Sequence, residues 1–344
     1  MTSDPGGVNR NLTATQHFLF SKTSAEGTHA PSRDIPRPSV PSGADDPLRQ
    51  HYPGLRSGEA YIAWAAEKAA ATPLFTALAL RIDTAAYRQT EDLERLQQLR
   101  LKVAETIDKR CAADNGWWGL MDADIFGCAF PERDVASGLA IAKKLQEQVN
   151  TTASLTLTIG LAAFPCLKYT SQEVIQNAHK ALEHAFFMGP GGRACFDAVS
   201  LNISGDRYYD AGDIDNAIKE FRNALRLDPR SVNVLNSLGV CFGVQQNHPK
   251  ALTAFETALK INAEEILALY NAGLVNLLMG EKDKALEFWL KAAPLGKDVF
   301  ELNFQTGKLL LESDQPEKAQ KLIQTAAELK PESATVQRLL GDTY

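Results

Sequence analysis

Five cysteines, a glycine-rich loop and an Asn-Gly turn beside two tryptophans are the residue sets in this 344-residue chain whose types could do chemistry by themselves. Thiolates in CxxC pairs, or beside histidines at short spacing, would hold zinc, and an even set would form a disulfide framework. Cys111, Cys128, Cys166, Cys195 and Cys241 do neither, being scattered, odd in number and without a CxxC pair. That usage suggests a reducing compartment, and Cys128 and Cys241, flanked by apolar residues, read as small buried hydrophobes. Gly189-Pro190-Gly191-Gly192-Arg193 would cradle phosphate if it opened a helix, but it follows a helical run and reads as a C-terminal cap and loop. Asn115-Gly116 reads as a turn, and Trp117 and Trp118 as packing residues of a hairpin rather than parts of a cofactor site.

The elements that must position such residues belong to a globular protein. Hydrophobic residues make up 44% and charged residues 23% of the chain, whose formal net charge is -6 and pI about 5.6. This balance gives no general attraction to phosphate backbones or anionic lipid, so nucleic acid and membrane surfaces are not expected partners. There is no basic segment followed by an apolar core at the N-terminus, and no apolar run approaches the roughly 18 residues of a membrane span, so a cytoplasmic protein is expected. The length leads to an expectation of two folded units and some linker.

Residues 1–46 are rich in Ser, Thr, Pro and Gly and are expected to be a disordered tail or tether. Between 47 and 197, strand-like runs such as 74–82 and 154–164 alternate with helix-like runs at 91–112, 133–149 and 171–188, which argues for an α/β or α+β domain. From 198 to 344 only helical periodicity remains, so the chain as a whole is expected to be a multi-domain protein, α+β followed by all-α.

In rows of 34 residues, Gly205, Gly239, Gly273, Gly307 and Gly341 fall in one column without any insertion. Ala217, Ala251, Ala285 and Ala319 form a second column, Phe221, Phe255, Trp289 and Ile323 a third, and Ala224, Ala258, Ala292 and Ala326 a fourth, while Pro229 and Pro331 close the first and last full rows. Small residues suit a close crossing of two helices, a bulky one fills the gap between neighbouring repeats, and proline ends a helix. The pattern resembles the tetratricopeptide-repeat (TPR) family over four full repeats (198–231, 232–265, 266–299, 300–333) and the first helix of a fifth. The resemblance implies a solenoid whose first helices line a concave groove for a protein or peptide. The family's inward positions correspond to Asn202, Asp206, Tyr209, Asn233, Asn236, Leu267, Tyr270, Leu274, Phe304 and Lys308. Among them, Asn202 and Asn236 could grip a ligand backbone, and Tyr270 and Phe304 could be rigid anchors. The basic clamp with which some relatives hold a C-terminal carboxylate is missing, so chaperone-tail binding is not expected.

Four landmarks in the first domain come in order: YPGLRSGEAY at 52–61, ALALRID at 77–83, DADIF at 122–126, and the strand-helix-strand run of 154–197. Together they resemble the GGDEF (diguanylate cyclase) family. Members that are active hold two Mg²⁺ ions and GTP through carboxylates at the first strand end and in the signature hairpin. Here Arg81 takes the place of the strand carboxylate, while Asp83 and Asp124 are retained. Asp122 and Ala123 replace the signature glycines, Ile125 its Glu, Phe186 the phosphate-holding lysine and His179 an Asp, and the product-inhibition motif is missing at Ala113 and Gly116. Guanine contacts would fall near Gln89 and Gln98. A guanidinium repels metal ions and pairs with carboxylates, so an Arg81–Asp124 ion pair is expected in a vestigial site of Arg81, Asp83, Asp122, Asp124 and Phe186. No catalytic residue, metal or cofactor is expected. The resulting expectation is a bacterial signalling or assembly adaptor with an inactive GGDEF-like domain. A non-catalytic sensor that weakly binds a guanine nucleotide or cyclic di-GMP is the alternative, and an active cyclase comes third.

Overall fold

The computed structural model describes residues 46–83 and 93–343. These fall into two compact units that meet in sequence at Ser204 and Gly205. The N-terminal tail, expected to run through residue 46, and Gln89 lie outside the described residues except for Asp46 itself.

Asp46 corrects the expected boundary, because it belongs to the folded unit. It caps helix α1 (Pro47–His51) through Leu48 N, is 2% exposed, and its Oδ2 lies 3.0 Å from Arg100 Nη1. A buried carboxylate is costly without a partner. Arg100 supplies that partner and also donates from Nη2 to the carbonyl of Ala123 at 2.7 Å, fastening the following hairpin to the start of the domain.

The rest of this unit comprises α2 (Glu59–Ala69), β1 (Phe75–Ile82), α3 (Leu93–Ala113), β2 (Trp117–Asp122), β3 (Ile125–Pro131), α4 (Val135–Ala153), β4 (Leu157–Phe164), α5 (Ser171–Phe186) and β5 (Arg193–Cys195). The strands form one sheet in the order β2-β3-β1-β4-β5, antiparallel throughout except for the parallel β4-β5 pair. The near-continuous apolar run of β1 suits a central strand covered on both faces. Its side chains alternate accordingly. Leu78 and Leu80 pack with Val103 and Ile107 of α3 and Ile141 and Leu145 of α4, while Ala77 and Ala79 pack with Tyr61 of α2 and Ala178 of α5. The second face is alanine-rich because α5 lies against the sheet: a Cβ at Gly160 would strike the backbone of Ala178, Ala181 and Leu182.

The second unit is helical. Its first helices, α6 (Ala198–Asp210), α8 (Val232–Val244), α10 (Ile266–Leu278), α12 (Phe300–Glu312) and α14 (Ala334–Gly341), each start 34 residues after the last. So do its second helices, α7 (Ile214–Leu227), α9 (His248–Ile261), α11 (Lys282–Ala292) and α13 (Pro316–Leu329). The boundary between the compact units falls inside α6 rather than at its start.

The bulky column, expected between neighbouring repeats, meets the glycine of its own repeat instead. A Cβ at Gly205 would run into the Phe221 ring, at Gly239 into Phe255, at Gly273 into Trp289 and at Gly307 into Ile323. The absent side chain therefore lets an aromatic or branched residue of the second helix lie flat on the backbone of the first. Gly212, Gln246, Gly280 and Asp314 form a further column, the turn between the two helices, all with φ between 56° and 83°.

Gly239→Ala is expected to destabilise the solenoid by about 1–3 kcal/mol through overpacking against Phe255. In urea denaturation followed by circular dichroism, Phe255→Leu in the same chain should recover part of the loss. Equal midpoints for wild type and Gly239→Ala would contradict the close contact.

Candidate functional site

Two places collect the candidate residues. In the first unit, β1 ends beside the hairpin turn that joins β2 to β3, because Arg81 pairs in register with Ile125 on one side and Thr158 on the other. This register puts Arg81 Nε 3.7 Å from Asp124 Oδ2, so the expected ion pair is present. The guanidinium carbon also sits 4.3 Å from the centroid of the Phe186 ring at the end of α5. Arg81 is thus held between a carboxylate and an aromatic face, both of which favour a cation.

Asp83 turns to other partners. Its Oδ1 accepts from Thr158 Oγ1 at 2.6 Å and its Oδ2 from the backbone N–H of Gly191 at 2.7 Å. The glycine-rich loop after α5 therefore does receive an anion through its backbone, and the anion is the protein's own carboxylate. Gly189 and Gly191, with φ of 84° and 74°, give the loop the left-handed turns that aim this N–H. Asp122 accepts from the N–H of Ala123 at 2.7 Å, closing the hairpin turn, and Gln98 is exposed on α3. The Asp83–Gly191 bond and the Arg100 clamp went unforeseen, since each joins residues far apart in sequence and no local pattern marks them.

In the helical unit the ten groove candidates separate. Asn233 and Lys308 are exposed, with Lys308 Nζ 3.9 Å from Glu312 Oε1. Asn202, Asp206, Tyr209, Leu267 and Phe304 are half-buried, and Phe304 stacks on Phe300 with ring centroids 5.6 Å apart. Asn236, Tyr270 and Leu274, expected on the groove surface, are buried instead, at 3%, 2% and 3% exposure. Asn236 accepts from Asn271 Nδ2 at 2.9 Å, tying α8 to α10. Tyr270 stacks on Trp289 at 5.8 Å, and its carbonyl accepts from Trp289 Nε1 at 2.9 Å. The backbone bond that orients the indole fixes this tyrosine as part of the repeat's packing, not as a free anchor.

Burial also sets the protonation of this region. It pushes the Asp206 carboxyl up to about 7, helped by the charge of Asp210 and opposed by a hydrogen bond from Ser237. Burial likewise raises Tyr209 and Cys241 to about 12. The first groove helix therefore presents a carboxyl that changes charge near neutrality.

Comparison with known proteins agrees with the helical unit. A family model described as TPR repeat matches residues 205–243. The BBSome complex member BBS4 of Mus musculus is 28% identical over 96 residues, and that of Bos taurus 29% over 96. The match covers 28% of this chain and spans 18% of the length of either relative. Among solved structures, YrrB, described as a TPR protein with an unusual peptide-binding site, aligns at 23% identity and a TM-score of 0.39, covering 43% of this chain and 76% of its own. MamA from Desulfovibrio magneticus RS-1 aligns at 20% identity and the same score, covering 42% and 82%. The helical unit is built of TPR repeats. Among the described residues no helix is long and apolar enough to cross a membrane.

The raised carboxyl has a measurable consequence. The unfolded chain releases the Asp206 proton near pH 4, whereas the folded chain keeps it to about pH 7, so native stability falls as pH rises between those values. Thermal melts at pH 5 and pH 8 should show wild type losing more than Asp206→Asn over that interval. Parallel losses in the two proteins would refute the assignment.

Proposed function

We propose that the chain is a non-catalytic adaptor whose TPR groove holds a partner protein or peptide, in bacterial signalling or assembly. One observation carries this reading: first and second helices repeat in unbroken 34-residue register from 198 to 334, the arrangement that stacks into a continuous concave surface. Asn233 and Lys308 are exposed candidates along it, with Asn202, Asp206, Tyr209, Leu267 and Phe304 partly accessible. The full chain carrying Asn233→Glu and Lys308→Glu should lose partner capture by roughly tenfold. Lys260→Glu, an exposed change on the second helix α9, should leave capture unchanged. Equal loss from both proteins would count against the groove.

We read the first unit as a GGDEF-like domain that no longer turns over GTP. The order of its sequence landmarks along one sheet and the ion pair of Arg81 with Asp124 support this reading. With a guanidinium against Asp124 and the Asp83 oxygens engaged by Thr158 and Gly191, the carboxylates that would bind metal are committed to the protein itself. Titration of the full chain with GTP and Mg²⁺, and separately with cyclic di-GMP, should give no heat of binding and no nucleotide product. Heat without product would favour a sensor, and product that disappears in Asp124→Ala would establish a cyclase.

A further inference from the structure

The groove-lining helices of the second and third repeats are buried on every side. In α8 all ten residues from Val234 to Gly243 are buried, and in α10 all nine from Ala268 to Asn276. A helix in a solenoid buries the faces that meet its neighbours and leaves its inward face to the groove. The second helix α9 keeps such an open face, with Thr253, Glu256 and Lys260 exposed. In α8 and α10 the inward positions Asn236, Val240, Tyr270 and Leu274 are instead between 1% and 3% exposed. The sequence agrees, since neither stretch contains a charged residue, and a helix that is apolar all round is a covered helix. The polar groups along the same line, Asn202, Asp206, Asn236 and Tyr270, are each engaged in interactions as well.

We infer that the middle of the groove is covered in cis by residues 12–20 of this chain, Leu-Thr-Ala-Thr-Gln-His-Phe-Leu-Phe, with Phe18, Leu19 and Phe20 against α8 and α10. This inference rests on the groove reading above and makes the groove self-occupied, so that a partner must displace the segment. Three facts select the occupant. Phe18-Leu19-Phe20 is the one run of large apolar residues in the 45 that precede the described fold, where Ser, Thr, Gly, Pro and Asp predominate. It is short and uncharged, matching an apolar floor that offers no ion-pair partner. The 26 residues from Phe20 to Asp46 span up to about 90 Å when extended, more than the roughly 40 Å breadth of a compact unit this size.

The test compares the full chain with its Phe18→Asp/Phe20→Asp variant. Because the changes lie outside both helical arrays, circular dichroism should report the same helix content. A labelled peptide of residues 11–22 should bind the variant about tenfold more tightly than wild type, whose tethered segment competes at high local concentration. Amides of α8 and α10 should also exchange faster with deuterium in the variant, while those of α4 do not. Equal peptide binding and unchanged exchange would overturn the inference, leaving partner capture through Asn233 and Lys308 unaffected as a separate result. A wild-type chain that sediments as a dimer, and takes up peptide only on dilution to monomer, would also overturn it by assigning the cover to a second copy.

Discussion

Missing side chains in one column set the geometry of the helical unit. Where Gly205, Gly239, Gly273 and Gly307 present bare backbone, Phe221, Phe255, Trp289 and Ile323 lie against it, and there is no room for even a methyl group. That contact fixes how closely the two helices of each repeat approach, and the same spacing recurs because the same pair recurs every 34 residues. Trp289 shows how far the constraint reaches. Its ring rests on Gly273, its Nε1 bonds the Tyr270 carbonyl, and it stacks on the Tyr270 ring, so one side chain positions two turns of the facing helix.

The first unit is organised by charge placed inside the fold. Arg100 binds Asp46 and the Ala123 carbonyl, and Arg81 meets Asp124 and Phe186. Asp83 is received by Thr158 and by the N–H of Gly191. Each buried or half-buried charge has a partner from a distant part of the chain, as the cost of burying an unpaired charge requires. The hairpin turn at Ala123 and Asp124 is the common point, gripped by one arginine through its backbone and by the other through its side chain.

Local pattern made much of this legible. The alternation of Ala77 and Ala79 with Leu78 and Leu80 marks a central strand with two covered faces, and the run from Asn115 to Trp118 marks the entry to a hairpin. Arg81 and Asp124 could be paired in advance because both fall at the ends of adjacent strands. The groove list fared less well. Asn236, Tyr270 and Leu274 occupy the same repeat positions as more open residues elsewhere in the array, yet they are buried. Position within a repeat specifies direction along the helix, and it says nothing about what stands opposite.

The residues alone determined the 34-residue period, the helix starts that follow from it, the order of strands and helices before residue 197, and the retention of Asp83 and Asp124 beside Arg81. These follow from spacing, because apolar periodicity and turn chemistry act over a few residues. Only the tertiary structure decided that Asp83 would serve Gly191, that Asp46 would be buried on Arg100, and that Tyr270 would be locked under Trp289. Each of these depends on segments brought together by the packing of whole faces, and burial and electrostatic partners are properties of that assembled environment rather than of any stretch of chain.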